Sequence, residues 1–173
     1  MKKSTINPMP KFFDRYINLV AEDDLMDALN KSEADLENID MATLNKIGLK
    51  TYQEGKWTIN DIVQHIIDNE RIQSYRAMRI ARGDKTPLPG YEENLFAQNA
   101  NATKRTLNDL IDELRVLRKS TIQLFKSFDE RAFNNSGICF DQTITVAALG
   151  FVIVGHQQHH FNFIKEKYIP LVK

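Results

Sequence analysis

Long stretches of apolar residues spaced three and four apart are the feature that most constrains the fold of this chain. Such spacing places apolar side chains on one face of a helix, whereas a half-buried strand needs strict alternation. The sequence has no alternating strand-like run, no internal repeat and no low-complexity segment. It therefore predicts an all-α protein, a helical bundle, and its 173 residues suit a single domain over 1–173.

The periodic segments give approximate helix positions. Thr58 and Asp61 have the spacing of a capping box, so the second long helix begins there, and Gly83 closes it. We expect a short helix over 11–21 and long helices over 25–40, 58–82, 103–128 and 143–169. The intervening segments 41–56, 84–101 and 129–141 read as connectors. The long link 84–101, with Pro87 and Pro89, suits a crossover that leaves the second and third long helices parallel.

Composition excludes several classes of protein. The formal net charge is zero and the charges are interspersed, so electrostatics favour neither nucleic acid nor an anionic membrane. No apolar region follows the first lysines, as a signal peptide would need, and 142–163 is too polar for a membrane span. Cys139 is the single cysteine and cannot form an internal disulfide. We therefore expect a cytoplasmic protein without nucleic-acid or membrane partners.

Three of the four histidines fall within 155–160. His156 and His160 are four residues apart and share a helix face, in the middle of an apolar stripe that should face the core. His159 points about 60° to the side. Two inward imidazoles one turn apart are half of a metal site, and His65 is the obvious third ligand. The alternative is a pair of core histidines, each satisfied by a backbone carbonyl or a tyrosine hydroxyl.

Three protein ligands leave one position for water or substrate, an arrangement typical of catalytic metal sites. Asp68, one turn beyond His65, either accepts a hydrogen bond from a ligand imidazole and so orients it, or is a solvated surface residue. Glu70 falls inside the apolar arc of its helix, so it either pairs with an arginine or serves the site. Gln157 after His156 excludes the His-Glu-x-x-His motif of zinc proteases, and no glycine-rich phosphate loop is present.

The last helix is also apolar on its back face, which predicts that it is buried on both sides. The back-face residues are Ala147, Gly150, Phe151, Val154 and Phe161. We predict a homodimer that packs through this face. The alternative is that the short N-terminal helix covers it.

Several motifs together resemble the DinB-like superfamily of DinB/YfiT-like metalloenzymes. They are EGKWT at 54–58, HIIDNER at 65–71, YR at 75–76, RIARGDKTPLPG at 79–90, GHQQHH at 155–160 and KEKY at 165–168. The resemblance covers nearly the full chain. It implies a four-helix bundle in up-down-down-up order, commonly dimeric, with a divalent ion, often zinc or nickel, held by His65, His156 and His160. Where this chain has Gln157, relatives often have glutamate.

The resemblance also implies an activity. Related proteins are described as metal-dependent hydrolases or as thiol S-transferases that use bacillithiol or another small thiol. The expected function is therefore a metal-dependent transferase or hydrolase acting on a small-molecule thiol and an electrophile, with an open position on the metal. The alternative is a non-catalytic bundle, a metal-binding or stress-response module.

Overall fold

Helices dominate the computed structural model, which describes residues 1–172. Along the chain they are α1 (Asp14–Ile17), α2 (Leu25–Glu37), α3 (Met41–Ile47), α4 (Ile59–Ala81), α5 (Glu93–Ala100), α6 (Leu107–Lys126), α7 (Glu130–Asn134) and α8 (Val146–Lys167). Two short strands, β1 (Ser136–Cys139) and β2 (Gln142–Thr145), lie between α7 and α8. The four long helices α2, α4, α6 and α8 form the predicted bundle, so the all-α prediction is confirmed.

Side-chain caps fix where the long helices begin. Thr58 and Asp61 form the predicted capping box: the Thr58 side chain accepts from the Asp61 amide at 3.2 Å, and the Asp61 carboxylate accepts from the Thr58 amide at 2.9 Å. Thr145 caps α8, and its Oγ1 accepts from the amide of Ala148 at 3.1 Å. Each cap satisfies amides that the first helical turn leaves without a partner.

Contacts between α4 and α6 show that these two helices are parallel. Asn60 donates to the carbonyl of Arg105 near the start of both helices, and Arg118 donates to Glu70 near the middle of both. Residue numbers rise together along the pair, as the long crossover between them predicted. The crossover itself holds α5, which packs against α4.

The other helix pairs complete the topology. On α2 and α6, Arg118 contacts Ser32 and Arg115 contacts Leu36, so the numbers run in opposite directions and the helices are antiparallel. Likewise α4 and α8 are antiparallel. His65 of α4 contacts His156 of α8, whereas Trp57, just before α4, accepts a hydrogen bond from Tyr168, just after α8. These directions give the up-down-down-up order, which is confirmed.

The interior divides into two apolar clusters with a polar layer between them. One cluster contains the first turns of α2 and α8 and the last turns of α4 and α6, and the other cluster contains the opposite ends of these helices. Buried polar residues lie between the clusters on all four helices: Ser32, His65, Asn69, Glu70, Gln73, Arg76, Arg118, Thr121, His156 and Gln157. Burying so many polar groups is costly unless they are paired, so this layer is where function is expected.

All three predicted connectors contain short helices, and the one in the segment 129–141 is α7. The segment 41–56 holds α3, because Asp40 caps a new helix and its Oδ1 accepts from the amide of Thr43 at 3.0 Å. For this reason α2 ends at Glu37 rather than continuing to residue 40. The segment 84–101 holds α5. The helix expected over 11–21 is reduced to the four residues of α1.

The hairpin of β1 and β2 corrects the expectation that the chain has no strand. Ser136 pairs with Thr145 and Cys139 with Gln142, and the turn residues Phe140 and Asp141 have φ values of 51° and 57°. Two positive-φ residues are typical of a two-residue hairpin turn. Strands of four residues are too short to display a period of two, which is why the pattern missed them.

The two remaining long helices are shorter than expected. Thr106 rather than Thr103 caps α6, because its Oγ1 accepts from the amide of Asp109 at 3.1 Å. A short 3-10 turn precedes this cap. At the C-terminal end α8 stops at Lys167, two residues before the predicted end.

The back face of α8 is covered by the chain's own residues. Gly150 packs against the side chains of Leu25 and Phe125, and Gly155 packs against the backbone of Tyr16. Phe151 is fully buried. The N-terminal segment, α2 and α6 therefore cover most of this face without a second copy, while Phe161 is half-buried. The homodimer stays a prediction. Within residues 1–172 none of the helices is long and apolar enough to cross a membrane.

Candidate metal centre

Three histidine side chains from two helices meet in the polar layer. The Nε2 atom of His156 lies 3.0 Å from Nε2 of His65 and 3.2 Å from Nε2 of His160. His65 and His156 are buried, at 5% and 3% exposure, and His160 is half-buried. The antiparallel packing of α4 against α8 brings these rings together across 91 residues of sequence. The structure thus joins the three residues that the sequence proposed as ligands.

Hydrogen bonds alone cannot satisfy this arrangement. A ring nitrogen offers in its plane either one N–H or one lone pair, yet Nε2 of His156 faces two other Nε2 atoms. Among residues 1–172 these nitrogens find neither a backbone carbonyl nor a tyrosine hydroxyl, the partners that the core-histidine alternative requires. A metal ion at their common focus would accept all three lone pairs at once.

Geometry and protonation state both fit a divalent ion. Ligand nitrogens at ~2.0–2.1 Å from a tetrahedral ion are about 3.3 Å apart, close to the separations found here. Burial lowers the pKa of His65 to about 4 and that of His160 to about 3, and it holds the pKa of His156 well below its usual range. The neighbouring histidines lower these pKa values further. The rings are therefore neutral at pH 7, as metal ligation requires.

The two carboxylates that the sequence offered as supports for the ligand imidazoles make other contacts. Asp68 accepts a hydrogen bond from Gln64 at 2.9 Å. Glu70 accepts two hydrogen bonds from Arg118, so it forms the arginine pair that the sequence left open. Within residues 1–172 neither carboxylate hydrogen bonds to His65. Glu70 is rotated about 140° from His65 around α4 and therefore lies on another face of the helix. No hydrogen bond in the described part of the chain therefore supports a role for either residue at the metal.

Sequence reasoning missed Glu93. Its Oε2 atom lies 3.8 Å from Nε2 of His65, and its side chain is largely exposed. Glu93 stands at the start of α5, inside the segment that the sequence marked only as a crossover. An acidic pair, Glu92 and Glu93, before a short apolar stretch was the only available signal, since acidic residues favour a helix N-terminus.

Aromatic rings form the walls around the histidines. The ring of Trp57 lies 5.1 Å from that of His65, and the ring of Tyr16 lies 5.2 Å from that of His156. His159, predicted to point sideways, is exposed and packs edge-on against Tyr16. The rings of Trp57 and Tyr16 thus pack directly against the imidazoles of His65 and His156.

Two cavities reach the cluster. One, of about 270 Å³, includes His156 and extends past Asn69, Arg76 and Glu93. The other, of about 300 Å³, includes His160 and lies beside Trp57. A substrate in the first cavity would lie beside His156, and one in the second would lie beside His160.

Fold and site together define an up-down-down-up helical bundle with a three-histidine candidate metal centre. The family model of the DinB superfamily matches residues 24–164. This chain therefore belongs to the DinB superfamily, which confirms the resemblance seen in its motifs.

Relatives and a solved structure agree with this placement. A protein of Oceanobacillus iheyensis, named provisionally as a metal-dependent hydrolase, is 26% identical over 118 residues, 67% of each chain. A Bacillus cereus protein with the same provisional name is 27% identical over 143 residues, 80% of this chain and 76% of its own. The fold resembles that of YfiT from Bacillus subtilis, described as a probable metal-dependent hydrolase with an unusual four-helix bundle topology. The TM-score is 0.64 at 18% identity, and the match covers 92% of this chain and 87% of YfiT.

Proposed function

We propose that this protein is a metal-dependent enzyme in which His65, His156 and His160 hold a divalent ion, zinc or nickel, and leave one coordination position open. The observation that carries the proposal is the convergence of three neutral Nε2 atoms at 3.0 and 3.2 Å beside two cavities. The names of the relatives from Oceanobacillus iheyensis and Bacillus cereus support metal dependence. Imidazole ligands suit both zinc and nickel.

The residues around the cluster have distinct roles in this proposal. When bound, the ion supplies a Lewis acid that lowers the pKa of a water or thiol at its open position. Glu93, 3.8 Å from the ligand nitrogen of His65, accepts the proton that this nucleophile loses. The rings of Tyr16 and Trp57 limit the access of bulk water. Less water at the site strengthens each electrostatic interaction within it.

The reaction has one of two forms, which differ in the nucleophile. In a thiol S-transferase a small thiol of the bacillithiol type attacks an electrophilic carbon, a sulfur–carbon bond forms, and the leaving group departs with the bonding electrons. In a hydrolase water attacks the carbonyl carbon of an ester or amide, an oxygen–carbon bond forms, and the bond from that carbon to the alcohol or amine breaks, with the bonding electrons going to this leaving group. In both, the proton of the nucleophile goes to the Glu93 carboxylate.

Metal content tests the site. Protein purified without a histidine tag should contain close to one zinc or nickel ion per chain by elemental analysis, and His156→Ala should lose it. His159→Ala is the matched control, because it removes an exposed histidine of the same helix outside the cluster. Metal-free wild type, or an equal metal content in His156→Ala, would count against the proposal.

Activity assays then distinguish the two nucleophiles. A transferase should accelerate the reaction of a small thiol with monobromobimane or chlorodinitrobenzene, and the acceleration should vanish in the metal-free protein. A hydrolase should instead cleave activated esters or amides without added thiol. A metal-loaded protein with neither activity would favour the non-catalytic metal-binding module.

A further inference from the structure

A buried arginine without a carboxylate partner lies in the cavity beside His156. Among residues 1–172 two arginines are buried, Arg118 at 0% exposure and Arg76 at 4%. Arg118 is paired with Glu70. The Arg76 guanidinium has only neutral acceptors in the described part of the chain, Gln73 Oε1 at 3.2 Å and the carbonyl of Pro89. Burial lowers the pKa of Arg76, although its guanidinium remains charged.

A buried charge without a counter-charge is costly, so we expect the Arg76 guanidinium to have an anionic partner. A guanidinium has five N–H donors, and two hydrogen bonds are made here within residues 1–172. Arg76 also lines the cavity that contains His156. Its free donors are therefore available to a molecule in that cavity.

Asn69 provides a second, independent sign of a ligand. Its amide nitrogen donates to the Tyr91 hydroxyl at 2.9 Å, but its Oδ1 atom is buried without a partner. Asn69 lines the same cavity and is 8% exposed. A buried acceptor of this kind needs a donor, which an N–H or O–H group on a ligand would supply.

These side chains are aligned along α4. His65, Asn69 and Arg76 lie within about 40° of one another around the helix, since four and eleven residues are close to whole turns. From His65 to Arg76 the helix rises about 16 Å. The cavity thus runs from the candidate metal centre, past an unpaired acceptor, to an unpaired cation.

We propose that Arg76 binds a carboxylate of the substrate, at the far end of an extended arm whose other end reacts at the metal. This inference rests on the proposed function, because it deepens the description of the same site. The arm spans about 10–16 Å, the helical rise less the reach of the side chains, and carries a hydrogen-bond donor for Asn69. One guanidinium balances one negative charge, which matches a carboxylate rather than a dianionic phosphate.

The charge of the whole cavity is compatible with an anion. Its charged lining residues are Arg15, Arg76, Glu92 and Glu93, which sum to zero. A divalent ion on three neutral histidines adds two positive charges, so the loaded site attracts anions. Glu93 is at the end near His65, and it does not compete for the guanidinium within ion-pair distance.

Full-length protein loaded with cobalt(II) provides the test, because thiol ligation changes the visible spectrum of cobalt. The probes are mercaptoalkanoic acids of three to twelve carbons and mercaptoalkanols of the same lengths. At the matching length the acid should bind about 10- to 100-fold more tightly than the alcohol, the range of one charge-assisted hydrogen-bonded pair. Equal affinities at every length in wild type would overturn the inference.

Variants then assign the preference to one residue. Arg76→Gln should bring the acid-to-alcohol ratio close to one by weakening the binding of the acid much more than that of the alcohol, and Arg76→Lys should keep part of the preference. Arg82→Gln is the matched control, since it removes an exposed charge at the end of the same helix. A preference that survives in Arg76→Gln would overturn the assignment. If Arg76→Gln does not fold, Arg76→Lys takes its place, and a folded Arg76→Lys protein with the full wild-type preference would overturn the assignment.

The outcomes separate this inference from the proposed function. Protein that binds no cobalt, or bound cobalt whose spectrum responds to no thiol, overturns the three-histidine site with its open position and the inference with it. A spectrum that responds equally to acids and alcohols leaves the metal site standing and removes only the carboxylate subsite. No catalytic rate is needed for either result.

Discussion

The carboxylate of Glu70 accepts hydrogen bonds from both Nε and Nη2 of Arg118, each at 2.9 Å. Both side chains are almost completely buried, at 2% and 0% exposure. Since Glu70 belongs to α4 and Arg118 to α6, this two-pronged pair fixes the register of two parallel helices. Arg118 also donates to Ser32 of α2, so one guanidinium connects three of the four bundle helices.

Arg118→Met should destabilise the protein by about 3–5 kcal/mol, because it leaves the Glu70 carboxylate buried without a counter-charge. Urea denaturation of the metal-free protein measures this loss. The double variant Glu70→Leu, Arg118→Met should recover much of it, since an apolar pair removes the unpaired charge.

Metal content of the same variants tests whether Glu70 supports the site. The Glu70 carboxylate makes its hydrogen bonds to Arg118 rather than to His65. A folded Glu70→Leu, Arg118→Met protein should therefore bind one ion per chain, as wild type does. Loss of metal from the folded double variant would restore a supporting role for Glu70.

Gly155→Ala should destabilise the N-terminal segment. A Cβ atom at this position would overlap the carbonyl oxygen of Tyr16, a backbone atom that cannot rotate away. We expect a loss of at least ~1–3 kcal/mol, the usual cost of overpacking, with faster proteolysis near α1. Gly150→Ala is the control, because its Cβ would meet the movable ends of Leu25 and Phe125 at 2.8 Å. Equal losses in both variants would contradict this account of Gly155.

Local spacing was enough to predict part of the site and fold. His156 and His160 share a face because four residues nearly complete a helical turn, and no tertiary information is needed for that. The capping box of Thr58 and Asp61 is likewise local. Only the length and prolines of the crossover were needed to predict parallel α4 and α6.

Other features depend on how distant segments pack, so spacing along the sequence did not fix their partners. The sequence indicated that Glu70 either pairs with an arginine or serves the site, and the register of α4 against α6 selects a pair with Arg118. Glu93 reaches His65 only because the crossover folds back along α4. The covering of Gly155 by Tyr16 similarly depends on the path of the N-terminal segment.

The metal-free protein should lose stability as the pH falls below about 6.5. Burial lowers the folded-state pKa of His65 to about 4 and of His160 to about 3, against 6.5 for a histidine in its usual environment. Between these values the unfolded chain binds protons that the folded chain does not, so the free energy of unfolding rises with pH. The contribution of the neutral histidines to the free energy of unfolding is fully present above pH 6.5. His65 alone accounts for a loss of about 3 kcal/mol by pH 4.

Urea midpoints in the presence of EDTA at pH 7.5, 6 and 5 measure this dependence, at pH values where most carboxylates stay ionised. His65→Gln should flatten the slope by up to ~1.4 kcal/mol per pH unit, the contribution of one proton. A wild-type stability that does not change between pH 7.5 and 5 would mean that the histidines are not buried in the neutral form.

Glu93→Gln should lower kcat/KM by about 10²–10⁴-fold, the usual contribution of a general base, while leaving one metal ion per chain. The amide that replaces the carboxylate cannot accept the proton of the nucleophile, although it keeps the same shape. Rates are measured in whichever of the thiol and hydrolysis assays shows a metal-dependent rate. Loss of metal in Glu93→Gln would instead indicate that Glu93 is a ligand of the metal ion and not the proton acceptor.

Glu92→Gln separates this specific role from the general charge of the cavity. Both carboxylates line the cavity of His156, but only that of Glu93 approaches His65, at 3.8 Å. If cavity charge sets the rate, the two variants should be impaired equally, and the effect should weaken as salt screens it. If Glu93 accepts the proton, Glu92→Gln should retain nearly full activity, and the defect of Glu93→Gln should persist at high salt, because a missing acceptor is not restored by screening.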